Sequence, residues 1–330
     1  MKKILFATTA LIATASVAAA EVSFSGYGRF GALNRDAGLA PALDATGVYS
    51  RIRLQIDMTT EADNGIEFGA RLRYQATSFN GGGTINAFNA ARFHAKAGGF
   101  EVGVGNIQGA IEWMPGLYMG TQSAGIGLSG HTFANLVTNT NGAGYWGWDA
   151  YSSGGAGAAA ANGVEIKYSA GDFGGHLSYS NNPVSGVTRT GAHISYSFND
   201  WTVALGYQDS NAAACGFIPV YGGAAAFSGP NCEDKVVVTV GGKIGPANVG
   251  LAYADNNGTG KFALTANVDV GAATRVDVFV ASEDGVFGGE SYGLGVSHSL
   301  GGGASLEAGI SKDGTILDIT TMDLGIRFNF

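Results

Sequence analysis

Charged side chains are scarce in this sequence. Asp, Glu, Lys and Arg together supply 13% of its 330 residues, against about 25% in an average soluble domain. Hydrophobic residues nevertheless reach 45%, so the chain is too apolar to remain disordered. Only six residues are proline, and the 55 glycines follow no three-residue period, which excludes a collagen helix. The composition therefore indicates a folded protein of strands and turns rather than a helical bundle.

Positive charge and long hydrophobic runs are also lacking. The 18 basic and 26 acidic residues give a net charge of −8, which disfavours nucleic acid as a partner because phosphate contacts require a basic surface. After residue 20 the sequence contains no apolar run of the roughly 18 residues that a transmembrane helix needs. The five His and two Cys form no H-E-x-x-H or C-x-x-C motif, and G-x-S-x-G is absent. We therefore expect neither an enzyme nor a cofactor or metal site.

The first twenty residues are typical of a secretory signal peptide. Lys2 and Lys3 precede an apolar stretch at 4–17, and 18–20 are three alanines that fit a small-residue cleavage site. We expect cleavage before Glu21, so that 1–20 is removed and 21–330 forms the exported domain.

Alternation of apolar and polar residues is the main secondary-structure signal. In segment 48–58 one face carries Val, Ser, Ile, Leu, Ile and Met, whereas the other carries Tyr, Arg, Arg, Gln and Asp. A period of two predicts a strand with one apolar and one polar face. Sixteen such strands are predicted, at 22–33, 48–58, 65–78, 90–97, 100–107, 164–168, 173–180, 190–198, 201–209, 235–244, 247–254, 261–270, 274–281, 291–300, 304–311 and 319–330.

The connections between these strands alternate between long and short. Short links such as Gly98-Gly99 and Asn199-Asp200 contain turn-forming residues. Outer-membrane barrels have short turns at one end and long loops at the other, whereas a soluble sandwich has no reason to separate them. The long connections are predicted at 34–47, 79–89, 108–163, 181–189, 210–234, 255–260, 282–290 and 312–318.

Charged residues in the middle of the predicted strands indicate a water-filled interior. A barrel of about sixteen strands encloses an aqueous channel, while eight strands would be filled by side chains. The sheet must close, because every backbone polar group has to be paired within hydrocarbon. The predicted fold is therefore all-β, a transmembrane antiparallel up-and-down barrel of about 16 strands.

The last strand carries the most specific local pattern, because it alternates strictly and ends on an aromatic residue. Here the sequence resembles the general porins of Gram-negative outer membranes, and their alphaproteobacterial branch most closely. The resemblance extends to the start of the mature chain at 21–26, to segment 66–70 and to the turn at 300–305. The alternating apolar residues of the last strand are Met322, Leu324, Ile326, Phe328 and Phe330.

This resemblance implies an outer-membrane channel for passive diffusion of ions and small hydrophilic solutes. It also implies a homotrimer surrounded by outer-membrane lipid and lipopolysaccharide. A substrate-selective porin for a sugar or an anion is one alternative, and a secreted Gly-rich adhesin is another. The outward residues that suit either lipid or a neighbouring subunit are Phe24, Phe30, Ile52, Leu54, Phe68 and Leu72.

The connection at 108–163 follows the fifth predicted strand and is unusually long. Loops of more than about 12–15 residues are uncommon and are usually functional. By resemblance, this is the third external loop of porins, which folds into the barrel and narrows it. Porins commonly place several carboxylates in this loop, but here only Glu112 and Asp149 are available. A loop that lies over the mouth or against a neighbouring subunit is the alternative.

Basic residues dominate the inward faces of the first strands. The porin resemblance implies that they form one wall of the pore constriction, opposite Glu112 and Asp149. We therefore expect a locally positive constriction with weak anion preference or near neutrality, unless nearby carboxylates neutralise these side chains. The predicted basic residues of the constriction are Arg29, Arg51, Arg53, Arg71, Arg73 and Arg92.

Two further contacts are expected from position in the chain. Barrel closure should pair strand 22–33 with strand 319–330, and the amine of Glu21 could then meet the carboxylate of Phe330. Cys215 and Cys232 are the only cysteines, and an oxidising compartment favours a disulfide between them. Two free thiols are the alternative.

Overall fold

The structure is a computed structural model of a single chain. The described residues are 20–38, 44–80, 82–84, 88–123, 125–130, 146–151, 162–183, 185–212, 214–220, 223–228, 233–284, 288–314 and 318–330. Among them, no helix is long and apolar enough to cross a membrane. The predicted signal peptide lies outside the described residues, apart from Ala20.

The described residues form nineteen strands. Their bounds are β1 (Glu21–Ala37), β2 (Ala45–Glu61), β3 (Glu67–Phe79), β4 (Gly82–Thr84), β5 (Arg92–Ala97), β6 (Phe100–Gly105), β7 (Gly163–Ala170), β8 (Phe173–Asn181), β9 (Thr188–Phe198), β10 (Trp201–Ser210), β11 (Ala214–Val220), β12 (Gly223–Ser228), β13 (Lys235–Ile244), β14 (Ala247–Asn256), β15 (Thr259–Asp269), β16 (Thr274–Glu283), β17 (Gly289–Gly301), β18 (Ala304–Asp313) and β19 (Ile319–Asn329).

Sixteen of these strands close into one antiparallel barrel. Each strand pairs with the next along the chain, with β4, β11 and β12 left outside this series, and β1 pairs with β19. Tyr27 lies opposite Asn329 at this seam. The prediction of about 16 strands, and of closure between 22–33 and 319–330, is confirmed.

The predicted contact between Glu21 and Phe330 is wrong. Phe330 lies beside Gly26, and their backbone groups exchange hydrogen bonds of 2.9 and 3.1 Å. Glu21 pairs with Thr59 of β2 instead, five residues further along β1, or roughly 17 Å at about 3.4 Å per residue. The strands of a barrel tilt against its axis. The start of β1 and the end of β19 therefore lie at different heights along the seam.

The prediction of a long connection at 255–260 is also wrong. The structure has only a two-residue turn, Asn257 and Gly258, with φ of 49° and 86°. Asn-Gly favours this type of hairpin turn, because both central residues need positive φ. At this point, therefore, the end of the barrel with long loops carries a tight turn.

The connection at 210–234 contains a hairpin that the alternation did not predict. Strands β11 and β12 pair antiparallel within it, apart from the barrel sheet. Cys232 lies outside the described residues, and of Cys215 only the backbone is described. The disulfide between them stays a prediction.

The two faces of the barrel wall meet different surroundings. On β16 the outward Val278 and Val280 are 40% and 51% exposed, whereas the inward Asp277 and Phe279 are buried. Outward apolar residues with comparable exposure occur on most of the barrel strands. The outer face is thus suited to lipid, and the inner face packs against further protein.

Candidate pore constriction

The described parts of the connection between β6 and β7 run inside the barrel. The amide of Ala110 donates to Ser178 Oγ of β8 at 2.9 Å, and Thr239 Oγ1 of β13 donates to the carbonyl of Pro115 at 2.6 Å. Further along, the amide of Leu128 donates to Asp323 Oδ1 of β19 at 2.9 Å. These contacts follow the inner wall from β8 to β19, so the expectation that this loop lies in the lumen is confirmed.

The loop packs against a stretch of wall with small side chains. A Cβ added to Gly309 of β18 would lie 2.7 Å from the Cα of Gly127 in the loop, so glycine is required for this close approach. The charged residues in the strands predict a water-filled interior, whereas the inward face is apolar at this contact. The buried residues of this contact are Ile111, Met114, Leu117, Met119, Ile126 and Trp146 of the loop and Ala204, Val237, Ala252, Ala254, Ala263, Phe279 and Ala281 of the wall.

Two charged side chains hold the loop at separate points. Asp323 accepts hydrogen bonds from the amides of Leu128 and Ser129, and from Ser129 Oγ, at 2.7–2.9 Å. Lys235 of β13 is buried and donates to the carbonyl of Gly147, and its ammonium group lies 5.1 Å from the Trp148 ring centroid. The loop is therefore fixed both near residue 128 and near residue 147.

Arginines of β1, β2 and β3 form the basic wall that the sequence predicts. Arg29 donates to Tyr49 OH at 2.7 Å, Arg51 to Thr77 Oγ1 at 3.0 Å, and Arg53 to Gln75 Oε1 at 2.8 Å. These partners are uncharged. Within the described residues, none of these three arginines has a carboxylate within 4.0 Å.

Arg73 is held by the end of the loop. Its guanidinium lies 4.8 Å from the ring centroid of Tyr151 and donates to Gln55 Oε1 at 2.8 Å. The Tyr151 hydroxyl in turn donates to the carbonyl of Arg71 at 3.0 Å. Arg73 therefore keeps its charge at the inner wall without a carboxylate partner in the described part of the chain.

Arg327 is a member of this cluster that sequence analysis missed. It lies on β19, opposite Arg29 across the seam. Its guanidinium lies 4.0 Å from the ring centroid of Tyr27. Closure between the first and last strands was predicted, so the inward position of Arg327 next to Arg29 could have been inferred from the alternation of 319–330.

Arg71 and Arg92 do not contribute free positive charge. Arg71 Nε lies 2.5 Å from Asp57 Oδ1, because the register places these residues opposite each other. Arg92 is 3% exposed and pairs with Glu165 at 2.6 Å and with Glu101. The assignment of Arg92 to the constriction is therefore wrong.

Glu165 explains where Arg92 is used instead. One oxygen of Glu165 accepts hydrogen bonds from the amides of Gln108 and Gly109 at 2.9 and 3.1 Å. The other oxygen accepts from Arg92 Nε at 2.7 Å. This buried network fixes the first turn of the loop to the wall, and long-range pairing of this kind leaves no signal in the local sequence.

Of the two predicted loop carboxylates, only Glu112 faces the basic wall. Its side chain accepts hydrogen bonds from Tyr118 OH and from Trp148 Nε1, the latter at 2.7 Å. Burial raises the pKa of Glu112, while these two donors and the nearby charges of Arg73 and Arg53 act in the opposite direction. A single carboxylate held by uncharged donors thus lies opposite several arginines.

Asp149 is not part of this arrangement. It is 4% exposed and lies 3.3 Å from Arg189 Nη1 of β9, and burial raises its pKa. The assignment of Asp149 to the constriction is wrong, because its position is determined by the return of the loop along β9 and β10.

We call the passage between Arg51, Arg53, Arg73 and Glu112 the eyelet.

Known proteins similar to this chain are bacterial porins. A family profile described as Gram-negative porin matches residues 7–315. A porin of Fuscovulum blasticum is 28% identical over 321 residues, which cover 94% of this chain and 100% of that protein. A solved mutant of Rh. blastica porin has a TM-score of 0.73, and a triple mutant of Rhodopseudomonas blastica porin has 0.72. Each is 26% identical and is covered completely, with 94% of this chain aligned.

Proposed function

This chain belongs to the Gram-negative porin family, and we propose that its eyelet is locally positive and gives the channel a weak preference for anions. The protein is a passive diffusion channel of the outer membrane. Its closed barrel and family membership rule out the secreted adhesin. The positive charge that we propose is the one a solute meets at the narrowest point of the passage.

One observation carries this proposal. Arg51, Arg53 and Arg73 have uncharged hydrogen-bond partners within the described residues, whereas the opposite side of the eyelet offers Glu112. The negative net charge of the whole chain acts less strongly on a passing ion, because exposed charges are screened beyond about 8 Å at physiological salt. Charges that line the passage itself are screened less.

The test is the zero-current potential in a salt gradient across a planar bilayer. Arg53→Gln combined with Arg73→Gln should shift this potential toward cation preference. The matched control is Arg71→Gln combined with Asp57→Asn, which removes two luminal charges without changing the net charge and should leave the potential almost unchanged. Strong cation preference of the unmodified channel, or equal shifts in both double variants, would contradict the proposal.

We also propose that residues 1–20 are removed on export. In support, β1 begins at Glu21, directly after the predicted cleavage site. N-terminal sequencing of protein isolated from outer membranes should begin at Glu21, and an intact N-terminus in this fraction would contradict cleavage.

The oligomeric state that we propose is a homotrimer in contact with outer-membrane lipid and lipopolysaccharide. The outward Phe24, Phe30, Ile52 and Phe68 are 46–62% exposed in the single chain, which gives β1–β3 an apolar surface suited to a neighbouring subunit. Light scattering in mild detergent should give the mass of three chains. A monomeric mass would contradict this assembly.

We also propose that Cys215 and Cys232 form a disulfide. Both residues lie in the 210–234 connection, and export places them in an oxidising compartment. Neither thiol should react with a maleimide until the protein has been reduced, and reaction of both without reduction would exclude the bridge.

A further inference from the structure

A cavity of about 440 Å³ lies in the lumen beneath the first turn of the inner loop, at the end of the barrel with short turns. Its volume falls within the range of about 300–1,000 Å³ that is common for small-molecule sites. The side chains that matter for its chemistry are Lys96, Glu101, Trp113, Lys167, His176 and His193.

Trp113 is the unusual member of this lining. It is 51% exposed, although it lies inside the barrel, where no lipid covers it. Comparable exposure of large apolar residues on the strands occurs on the outward face. The ammonium group of Lys167 lies 4.5 Å from the centroid of the indole. The indole thus has one side near a cation and a large part of its surface open to the channel.

The local backbone explains why Trp113 and Glu112 point to different places. The amide of Trp113 donates to the carbonyl of Gly109 at 3.1 Å, and that of Met114 to Ile111 at 3.1 Å. Within this turn, Met114 packs into the wall and Glu112 faces the eyelet. Trp113 is therefore placed beside the eyelet, on the side of the short turns.

The charges around Trp113 are closely balanced. Lys96 Nζ lies 3.0 Å from Glu67 Oε1 and 3.7 Å from Glu101 Oε2, and Lys167 Nζ lies 3.3 Å from Glu101 Oε1. Lys96 is nearly half exposed, with 45% of its side chain accessible. The cavity thus offers both hydrogen-bond donors and acceptors, with little net charge to favour an anion or a cation.

The imidazoles of His176 and His193 form the inner wall of the cavity. His193 Nδ1 is 2.6 Å from the carbonyl of Ala110, and His176 Nε2 is 3.0 Å from Glu165 Oε2. Nδ1 of the buried His176 has no hydrogen-bond partner within the described residues. These contacts hold both imidazoles in place, and the buried Nδ1 of His176 lies too deep to reach a ligand in the cavity.

We infer that this cavity is a saccharide subsite, in which a pyranose ring packs its apolar face on Trp113. Its hydroxyl groups would exchange hydrogen bonds with Lys96, Lys167 and Glu101. A pyranose combines an apolar ring face with a rim of neutral donors and acceptors, which is the combination that an indole and a balanced Lys–Glu cluster can bind. The inference goes beyond the proposed positive eyelet and requires only the diffusion channel itself, because a solute reaches this cavity through the lumen.

The experiment measures sugar-induced current fluctuations in single channels. Maltose should produce saturable block in the unmodified protein, with faster binding when it is added from the side of the short turns. Trp113→Ala should raise the half-saturation concentration at least about tenfold, whereas Trp113→Phe, which retains an aromatic face, should stay within about threefold. Sorbitol, a polyol without a ring, should cause no saturable block.

Two further variants distinguish loss of the subsite from general damage to the loop. Lys96→Met, which leaves the indole in place, should raise the half-saturation concentration several-fold. Asn248→Ala changes a luminal polar residue on β14, outside this cavity, and should leave maltose block unchanged. Absence of saturable block in the unmodified channel, equal block in Trp113→Ala, equal loss in Trp113→Phe, or equal block by sorbitol would each overturn the subsite.

This experiment is independent of the charge at the eyelet. The zero-current potential tests the arginines, whereas maltose block tests Trp113 and its neighbours. A channel that keeps its expected anion preference but shows no maltose block would exclude the subsite alone. A channel that shows maltose block without anion preference would exclude the positive eyelet alone.

Discussion

An arginine contributes to the field in a channel only if no carboxylate lies beside it. Arg71 and Arg73 illustrate this, since both lie on β3 and both point inward. Arg71 has Asp57 at 2.5 Å, while Arg73 lies on the ring of Tyr151 and donates to the amide oxygen of Gln55. Two arginines that lie two positions apart on the same face of one strand thus act differently on a passing ion.

Glu112 should make the selectivity of the channel depend on pH. Burial raises its pKa above the ordinary value of 4.5, so it should bind a proton at a higher pH than an exposed Glu. Protonation removes the negative charge opposite the arginines, and anion preference should therefore increase as pH falls from neutral to about 4. The measurement is the zero-current potential as a function of pH.

The matched variant for this prediction is Glu112→Gln. It removes the titrating group, so its anion preference should already be higher at neutral pH and should change less on acidification. The difference between the two curves isolates Glu112 from the other luminal carboxylates. Parallel curves for the two proteins would show that Glu112 does not act on passing ions.

At the scale of elements, the inner loop is held by its packing and by the polar contacts of Asp323, Lys235 and Glu165, of which Asp323 fixes the part near residue 128. Asp323→Ala leaves the amides of Leu128 and Ser129 without this partner, and each lost hydrogen bond to a charged group costs about 1.5–3 kcal/mol. The loop should leave the wall more often, so that single-channel conductance rises and the open current becomes noisier.

Asp277→Asn is the control for this effect. Asp277 is also an inward carboxylate, but its ion pair is with Arg275 of the same strand, at 3.2 Å. Its removal should change the charge of the lumen without raising the open-channel noise. Equal noise in the two variants would show that Asp323 acts through its charge rather than as an anchor of the loop.

The elements themselves were predictable because the outer face of the barrel meets lipid. That face must be apolar at every second residue, so alternation located the sixteen barrel strands within a few residues. The contact between loop and wall was not predictable in this way, since Ala252, Ala254 and Gly309 look like ordinary small residues until Ile126 and Gly127 are placed against them. Arg92 was misplaced for the same reason, because its partner Glu165 lies 73 residues away in the chain.

On the scale of the whole molecule, the seam between β1 and β19 is the contact on which closure depends. The rings of Phe328 and Phe330 cover Gly28 and Gly26 on the outer face, where an added Cβ would come within 2.3 and 2.8 Å of them. Phe328→Asp removes one ring and places a carboxylate toward hydrocarbon, and deletion of Phe330 removes the hydrogen bonds to Gly26.

Both changes should reduce the amount of folded protein in the outer membrane. Closed barrels resist detergent until they are boiled, so a gel of unboiled and boiled samples separates folded from unfolded chains. Phe88→Leu, which changes an exposed aromatic residue away from the seam, should behave like the unmodified protein. Normal amounts of the heat-shifted band in both seam variants would contradict this role.

The seam also determines when the chain can finish folding. Tyr27 and Asn329 are neighbours in space, although they belong to the first and last strands of the barrel. A chain that crosses the inner membrane with its N-terminus first therefore exposes β1 long before β19 arrives, and contacts so distant in sequence form slowly. Until β19 arrives, β1 lacks this partner, and an unpaired strand edge is prone to aggregation. The time spent in the periplasm should therefore depend on helper proteins that shield this edge until the last residues have emerged.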